Sequence, residues 1–295
     1  MARYGMPWQG SKSRIAEWVV DILPPSHTLV DLFAGGGAVT HCALLSGKWE
    51  RIIANDMTDS MKVFCAAING EFDGYAACPA REEWFAYRDM DTAMALLHSF
   101  GNDRTTYMWS PELEAVKRPA SLMVSSPSLW ERYQWYHRFC DALTEYLAAN
   151  NELPNRLTEL NDRERVGRLV QLERVTRLQG LQGLQGDYRL VEVPEGATVY
   201  ADPPYRGTPN SSRYGAFDFA AFDQWLNGVD FPVFVSEFDA PTGCVEIAST
   251  ERTTSMAANS TDTRIERIFV QERFYDQCRP LTLFDFMDGS AAGEG

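Results

Sequence analysis

The chain has 295 residues, of which 45% are hydrophobic and 23% are charged, a composition that excludes intrinsic disorder. Its 41 acidic and 27 basic side chains give a formal net charge of -14, which argues against binding a polyanion through bulk charge alone. No stretch approaches the ~20 consecutive apolar residues that span a bilayer, and the N-terminal segment lacks the apolar core of a signal peptide, so we expect a soluble, cytoplasmic protein.

The first part of the chain predicts a βαβ unit. Apolar residues at helical spacing predict a helix over residues 11–23, which two prolines end. A short apolar run over 28–33 predicts a buried strand, and residues 38–45 predict the helix that follows it. A second strand is predicted at 51–56. Strand, turn, helix and strand in this order indicate a parallel sheet.

The middle of the chain, residues 75–186, has helical stretches such as 128–147 but no clear run typical of a parallel strand. Strand-like apolar runs return at 197–201, 231–235 and 265–271. The simplest architecture is an α/β fold in which a discontinuous domain, residues 1–74 and 187–295, is interrupted by an inserted, mostly helical domain over residues 75–186.

An internal repeat lies near the end of the predicted insert. From Val166 to Leu184 an aliphatic residue falls at every third position, and the run ends in three copies of Leu-Gln-Gly. A stripe with this spacing would wind around a straight α-helix, and Gly180, Gly183 and Gly186 would each cost about 1 kcal/mol there. We therefore expect a three-residue coil or repeated turns that pack the leucines inward.

A glycine-rich turn follows the first predicted strand. It reads Asp31-Leu-Phe-Ala-Gly-Gly-Gly37 and opens a helix, where glycines let a ligand approach the backbone N–H donors. Asp56 stands at the end of the next predicted strand, where a nucleoside-binding βαβ fold hydrogen-bonds ribose hydroxyls. The pair favours a nucleoside site over a purely structural turn.

The segment Asp202-Pro203-Pro204-Tyr205 follows another apolar strand. The two prolines lack N–H donors, so this turn presents carbonyl oxygens and a carboxylate. Such a site can accept hydrogen bonds from an amino group while the aromatic ring stacks on the attached base. Open α/β sheets bind ligands at the carboxyl ends of their strands, which favours this function over a structural turn.

Together these segments resemble the Dam-like, or D12 class, S-adenosylmethionine-dependent DNA adenine-N6 methyltransferases. The glycine turn and Asp202 to Tyr205 look like the two hallmark motifs, and Trp8-Gln-Gly-Ser-Lys12 lies where the family carries a Trp-x-Gly-x-Lys segment. The resemblance covers residues 3–74 and roughly 184–240. It implies a Rossmann-like methyltransferase sheet, residues 75–186 as a target-recognition domain, and a prokaryotic or phage-infected host cell.

The resemblance also implies a site for S-adenosylmethionine. It makes Lys12 a partner for the cofactor's carboxylate, Asp56 the residue that holds its ribose, and Asp187-Tyr188 the pair that contacts its adenine. The residues implied to bind the cofactor are Tyr4, Trp8, Lys12, Asp31, Phe33, Ala34, Gly35, Gly37, Asp56, Asp187, Tyr188 and Asp202.

The implied chemistry is methyl transfer to the exocyclic amine of adenine, with Asp202, Pro203, Pro204 and Tyr205 as the catalytic residues. This amine is a poor nucleophile because its lone pair is delocalised into the ring. The Asp202 carboxylate and the Pro203 carbonyl would accept its two hydrogens and localise the lone pair, while Tyr205 stacks on the base. An amine inside a duplex cannot reach the cofactor, so the base must be flipped out.

Double-stranded DNA is the expected partner. No lysine or arginine lies between Tyr214 and Glu251, so we expect an acidic face opposite a basic cleft. The candidate contacts with bases or phosphates are Arg104, Lys117, Arg118, Arg132, Arg138, Arg206 and Arg213. The six cysteines are scattered without a CxxC pair, so no metal is expected, and no membrane partner either. A cognate restriction nuclease encoded elsewhere is a further candidate partner.

Several alternatives remain open. An RNA adenine-N6 methyltransferase would use the same chemistry. A cytosine-N4 enzyme more often has serine at the position of Asp202, and a protein glutamine methyltransferase has asparagine there. A catalytically inactive protein that binds or mimics DNA could keep the fold, although the intact Asp202 to Tyr205 motif and Asp56 speak against it. The insert lacks the Tyr-Asn-Val-Pro-type stretch of GATC-reading members, so no target sequence is inferred.

Overall fold

The computed structural model describes residues 4–8, 10–69, 78–100, 103–154, 180–207, 217–257 and 260–278. The helices of these segments are α1 (Ala16–Ile22), α2 (Ala38–Ser46), α3 (Ser60–Ile68), α4 (Arg81–Tyr87), α5 (Thr92–Leu97), α6 (Pro111–Ser125), α7 (Leu129–Asn150), α8 (Phe219–Gly228) and α9 (Tyr275–Cys278). The strands are β1 (Thr28–Asp31), β2 (Arg51–Asp56), β3 (Leu181–Gln185), β4 (Thr198–Ala201), β5 (Val233–Glu237), β6 (Cys244–Ala257) and β7 (Ser260–Gln271).

The strands form one seven-stranded sheet in the order β3-β2-β1-β4-β5-β7-β6. The first five are parallel, and β7 runs antiparallel to both β5 and β6. This mostly parallel sheet with flanking helices confirms the predicted α/β class and the Rossmann-like methyltransferase sheet. The chain changes direction across the sheet between β1 and β4, and ligands of open α/β sheets bind at such a switch point.

Helices cover both faces of the sheet, so its central strands are buried throughout. Every residue of β1 and of β4 is buried. On one face Leu29 clusters with Val19 of α1 and Val39 of α2, and on the other Val30 clusters with Phe222 of α8. Burial on both faces explains why these strands are continuous apolar runs without polar alternation.

Most predicted elements of the βαβ unit are present, with shifted ends. Strand β2 has the bounds that the sequence predicts. The helix predicted over 11–23 begins only at Ala16, because the residues before it have other partners: Ser13 Oγ accepts a hydrogen bond from Tyr4 N (2.9 Å), and Lys12 pairs with Asp202. Strand β6 was not predicted because it is rich in polar residues. Helix α8 was also missed, although its buried Phe222 and Leu226 have helical spacing.

The Leu-Gln-Gly repeat corrects the sequence prediction, because its described part is a strand and not a coil or a series of turns. Strand β3 pairs in parallel with β2, from Leu181 opposite Ile52 to Gln185 opposite Asp56. Residues three apart on a strand point to opposite faces. Leu181 and Leu184 accordingly pack in apolar clusters on opposite faces of the sheet. The sheet therefore resumes at residue 181, inside the range predicted as insert.

Glycines of the repeat allow the close packing around β3. Gly180 has φ +101°, and a Cβ there would overlap the Glu50 carbonyl oxygen. A Cβ on Gly183 would lie 3.2 Å from the Cβ of Met61 in α3, whereas one on Gly186 would have no neighbour within 4 Å. The Glu50 carbonyl thus requires glycine at position 180, Met61 crowds position 183, and position 186 has room for a Cβ.

The helices between β2 and β3 pack in two groups. Ala93 and Leu96 of α5 share a core cluster with Phe64 of α3, so α5 packs on the sheet domain. Helices α6 and α7 pack chiefly on each other, and α7 has no buried residue. Leu129 and Trp130 at its start are 83% and 66% exposed. A separate inserted domain over residues 75–186 stays a prediction.

Candidate active site

Three aspartates lie at the carboxyl ends of neighbouring parallel strands. Asp31 ends β1, Asp56 ends β2, and Asp202 follows β4. Asp31 and Asp56 are 1% and 3% exposed. Burial raises the pKa of all three carboxyls, and the negative charges of Asp202 and Asp56 add to the rise at Asp31. Such a cluster of buried carboxylates stabilises a positively charged ligand.

Burial raises the pKa of Asp31 to about 7. Thr40 Oγ1 of α2 donates a hydrogen bond to Asp31 Oδ2 (2.7 Å) and opposes part of that rise. Near neutral pH the side chain therefore exists as a mixture of the neutral acid and the carboxylate. The hydrogen bond between Asp31 and Thr40 connects the end of β1 to the first turn of α2, next to the glycine turn.

The glycine turn is held by the end of β2. Ala34 N donates to the Asn55 carbonyl (2.8 Å), and Gly35 N donates to Asp56 Oδ2 (2.9 Å). Thr58 donates to Asp56 Oδ1 through both its backbone N (2.8 Å) and its Oγ1 (2.7 Å). A carboxylate has about four acceptor sites, so Asp56, with three donors, retains capacity for one more, such as a ribose hydroxyl.

The N-terminal segment lies directly on the glycine turn. Met6 N donates to the Gly36 carbonyl (2.7 Å). A Cβ on Gly35 would lie 2.9 Å from Trp8 Nε1, and one on Gly36 would lie 2.6 Å from Trp8 Cβ. Gly35 also has φ +52°, a conformation that favours glycine. Close approach of the Trp8 indole is therefore one physical reason for glycine at both positions.

Tyr4 packs beside this segment. Its hydroxyl donates to Glu17 Oε1 of α1 (2.5 Å), and its ring contacts His41 edge to face, with centroids 5.7 Å apart. These contacts fasten the N-terminal segment to α1 and α2. A contact between Tyr4 and the cofactor stays a prediction.

Lys12 binds the Asp-Pro-Pro-Tyr turn. Its Nζ lies 2.8 Å from Asp202 Oδ1 and 3.9 Å from Glu266 Oε2, and it lies over the Tyr205 ring, 4.3 Å from the centroid. Lys12 is 5% exposed and the Asp202 side chain 17% exposed. The positive charge opposes the effect of burial on the pKa of Asp202 and so favours the carboxylate.

Two glutamates of this site were missed by the sequence analysis. Glu266 of β7 accepts a hydrogen bond from the Tyr205 hydroxyl (2.7 Å), and Glu237 ends β5. Glu237 accepts from Arg206 N (3.1 Å) and Phe238 N (2.9 Å), while burial raises its pKa to about 7. A charged residue at the end of, or inside, an apolar strand is the signal that could have identified them.

Aromatic side chains form a wall beside the end of β1. The Phe33 ring lies 4.9 Å from Tyr188, centroid to centroid, and Tyr188 contacts Trp225 edge to face at 5.0 Å. Phe217 and Phe222 lie within 6.0 Å of Phe33. A wall of this kind suits the apolar faces of a nucleobase.

Asp187 directly precedes Tyr188 of this wall and pairs with Arg189. Its carboxylate accepts a hydrogen bond from Arg189 N (2.9 Å) and pairs with the Arg189 guanidinium. The hydrogen bonds from Arg189 lower the pKa of Asp187. The pair Asp187-Tyr188 is therefore near Phe33, although contact with a cofactor adenine stays a prediction.

The structure corrects one predicted contact with nucleic acid. Lys117 of α6 is only 6% exposed and lies among the buried Val116, Ala120 and Ser121. Its charge marked it as a surface residue in the sequence, but the helical spacing to Ser121 places it on the packed side of α6. Its ammonium is not presented to a DNA strand.

The other predicted nucleic-acid contacts occupy varied places. Three have protein partners: Asp223 for Arg206 (2.5 Å), the Ser126 carbonyl for Arg132 (2.5 Å) and the Trp135 ring for Arg138 (4.7 Å). Arg118 lies on α6 near the buried Tyr107. Arg104 lies against Trp8, and Arg213 lies outside the described residues. Their contacts with nucleic acid stay predictions.

Metal-binding clusters and membrane-spanning helices are both absent from the described segments of the chain. No group of three or more His, Cys, Asp or Glu side chains there could hold a metal ion. None of the helices in those segments combines the length and the apolar character that crossing a membrane requires.

Comparison with known families identifies the N-terminal part of the chain. Residues 8–89 match the family model of the D12 class N6 adenine-specific DNA methyltransferases. That span holds Trp8, Lys12, the glycine turn and Asp56, so the resemblance inferred from the sequence is confirmed. It supports adenine-N6 methylation of DNA as the general activity. No curated protein is significantly similar to the chain.

Proposed function

We propose that this protein is a site-specific DNA methyltransferase that transfers a methyl group from S-adenosylmethionine to N6 of a flipped-out adenine. The observation that carries the proposal is the 2.8 Å ion pair between Lys12 and Asp202. Lys12 lies inside the family match, and the Asp-Pro-Pro-Tyr turn lies outside it. The ion pair brings the proposed catalytic turn against the segment whose family is identified.

The residues of the site fit S-adenosylmethionine. The three strand-end carboxyls suit its positive charge, Asp56 has acceptor capacity for its ribose, and the wall at Phe33 and Tyr188 suits its adenine. When bound, the cofactor supplies an electrophilic methyl group on a sulfonium. The residues that would hold it lie in the N-terminal segment and at or just after the ends of β1, β2, β3 and β4.

The Asp-Pro-Pro-Tyr turn would prepare the adenine amine. The Asp202 carboxylate, whose ionised form the Lys12 ammonium favours, would accept one amine hydrogen, and the carbonyl of Pro203 would accept the other. Two acceptors in fixed positions favour a pyramidal nitrogen with a localised lone pair. Positioning and hydrogen bonding therefore do most of the chemical work.

Tyr205 would stack on the extruded base. The Lys12 ammonium already lies over its ring, and its hydroxyl is fixed by Glu266 (2.7 Å). The ring is thus held in one orientation, and the Phe238 ring contacts it edge to face, with centroids 4.5 Å apart. Stacking of this kind is worth about 1–3 kcal/mol per base.

DNA is favoured over RNA because the matched family is DNA-specific by its description. The intact carboxyl cluster, with Asp202 paired to a buried cation, argues for catalysis over a role in binding alone. Neither the described structure nor the family match supports the partner nuclease considered from the sequence.

The test incubates the purified protein with methyl-labelled S-adenosylmethionine and duplex DNA, RNA or no nucleic acid. Each product is then digested to nucleosides. We expect the label in N6-methyl-2′-deoxyadenosine from duplex DNA. Label confined to N6-methyladenosine from RNA, or to the protein, would overturn the proposal.

A further inference from the structure

Arg104 lies at the proposed cofactor site. Its guanidinium lies over the Trp8 ring, 5.7 Å from the centroid, and Trp8 in turn lies on the glycine turn at Gly35. The same positive charge opposes the effect of burial on the pKa of Asp56. Arg104 therefore faces the ends of β1 and β2, although the sequence predicted it as a contact with nucleic acid.

One N–H donor group of the Arg104 guanidinium is buried without an acceptor among the described residues. Its Nη1 is buried, and no described residue accepts a hydrogen bond from it. A buried charged donor without an acceptor loses its hydration without compensation, and an acceptor supplied by a ligand would restore the missing hydrogen bond.

The backbone around Arg104 is arranged to hold this position. Arg104 has φ +60°, a left-handed conformation that is uncommon for a residue other than glycine. Its N donates to Ser99 Oγ (3.0 Å), and Asp103 Oδ1 accepts from Thr105 N and Thr106 N, both at 2.8 Å. Strain of this kind is concentrated at ligand sites.

The ammonium of Lys12 at this site already has two carboxylates as neighbours. Lys12, which the family resemblance assigns to the cofactor's carboxylate, is paired with Asp202 at 2.8 Å and lies 3.9 Å from Glu266. Moving it to another anion would leave Asp202 buried without its partner, which is strongly unfavourable.

S-Adenosylmethionine has a single anionic group, the carboxylate of its methionine moiety. A guanidinium is well suited to bind a carboxylate, because it presents planar N–H donors in a fixed fork. Resting on the proposed function, we propose that Arg104, held against Trp8, binds this carboxylate and that Lys12 instead serves Asp202. In this arrangement the strand-end carboxyls face the cofactor's positive charge, and Arg104 binds its negative carboxylate.

The test measures binding by calorimetry, without nucleic acid, for two ligands that differ only in the carboxylate: S-adenosylmethionine and decarboxylated S-adenosylmethionine. A charge-assisted hydrogen bond predicts that the wild-type protein prefers the first by about 10- to 100-fold. Arg104→Gln should lose most of that preference by binding S-adenosylmethionine less tightly, with the decarboxylated ligand little affected. Arg104→Lys, which keeps the charge, should retain part of it.

A matched control is Arg273→Gln. Arg273 also stacks on an aromatic ring, that of Phe274 (4.8 Å), but lies beyond β7, at the amino end of β5. It should leave both affinities unchanged, and circular dichroism should show every variant folded.

Three outcomes would overturn the assignment and leave the proposed function standing. Equal weakening of both ligands by Arg104→Gln would mean that the residue only supports Trp8 and Asp56. If Arg104→Gln binds both ligands as the wild type does, but binds duplex DNA more weakly in a separate measurement, Arg104 is a nucleic-acid contact. If the wild-type protein binds both ligands equally well, no residue recognises the carboxylate. A wild-type protein that binds neither ligand would instead refute the proposed function, and this assignment with it.

Discussion

The ammonium of Lys12 and the carboxylate of Asp202 form an ion pair at 2.8 Å between residues far apart in the sequence. The pair is largely buried, and it lies over the ring of Tyr205. Removing one member of a buried pair leaves an uncompensated charge, so the two side chains are expected to be strongly interdependent.

Replacing Lys12 should change how activity depends on pH. The ammonium opposes the effect of burial on the pKa of Asp202, so Lys12→Gln should raise that pKa further and move the acid limb of kcat/KM to higher pH. Lys12→Arg, which keeps the charge, should move it less. Profiles from pH 5 to 9 measure the shift.

The control for this change is Lys62→Gln, since Lys62 lies on the exposed side of α3. Its profile should match that of the wild type. An acid limb that stays in place in Lys12→Gln would mean that Asp202 is not the group whose ionisation limits the reaction.

The ring of Tyr205 should matter more than its hydroxyl. Tyr205→Phe and Glu266→Gln both weaken the same 2.7 Å hydrogen bond, so their combined effect should be smaller than the sum of the two. Tyr205→Ala also removes the stacking surface and should raise the KM for DNA about 10- to 100-fold.

Steady-state kinetics with duplex DNA test whether Tyr205→Ala loses more activity than Tyr205→Phe. The matched control is Tyr275→Ala in the short helix α9, which should behave as wild type. Equal losses for Tyr205→Phe and Tyr205→Ala would show that the hydroxyl, not the ring, makes the essential contact.

Asp31 should make the cofactor-free protein less stable as pH rises. Burial raises its pKa from 3.8 to about 7, so the folded protein retains a proton that the unfolded chain loses, and stability falls as pH rises between those values. Asp31→Asn removes this effect. The wild type should therefore lose on the order of 2 kcal/mol more unfolding free energy than Asp31→Asn when the pH rises from 5 to 8.

Urea unfolding at the two pH values measures that difference. Asp230→Asn, an exposed change before β5, should leave the pH dependence as it is. If Asp31→Asn shows the wild-type pH dependence, then Asp31 is ionised in the folded protein throughout this range.

The glycines of the repeat should differ in their tolerance of a methyl group. Gly180→Ala places a Cβ against the Glu50 carbonyl at φ +101° and should destabilise by about 2 kcal/mol or more. Gly183→Ala, against Met61, should cost less, and Gly186→Ala should stay within about 0.5 kcal/mol. Denaturant unfolding ranks the three. Equal effects would contradict the strand and favour a regular coil.

The parts of the site that the sequence predicted are local in the chain. The glycine turn, Asp56 and the Asp-Pro-Pro-Tyr turn each follow an apolar strand within a few residues, so their place at the sheet edge follows from parallel pairing alone. The fold class was predictable for the same reason, because buried parallel strands are short apolar runs.

What the sequence did not reveal depends on contacts between distant segments. Strand β3 is rich in glutamine and glycine, and only its pairing with β2 makes it a strand. Glu266 reaches Tyr205 because β7 inserts beside β5, which no local pattern indicates. Lys117 carries a charge, but packing of α6 decides that it is buried.

Single-turnover methylation by Asp202→Asn tests the central claim most directly. Asparagine keeps the shape but replaces one acceptor oxygen with a donor, so formation of N6-methyl-2′-deoxyadenosine in duplex DNA should slow by about 100-fold or more. Binding of S-adenosylhomocysteine should change little, and Asp230→Asn should react at the wild-type rate. A variant Asp202→Asn that keeps most of the wild-type rate would contradict the account.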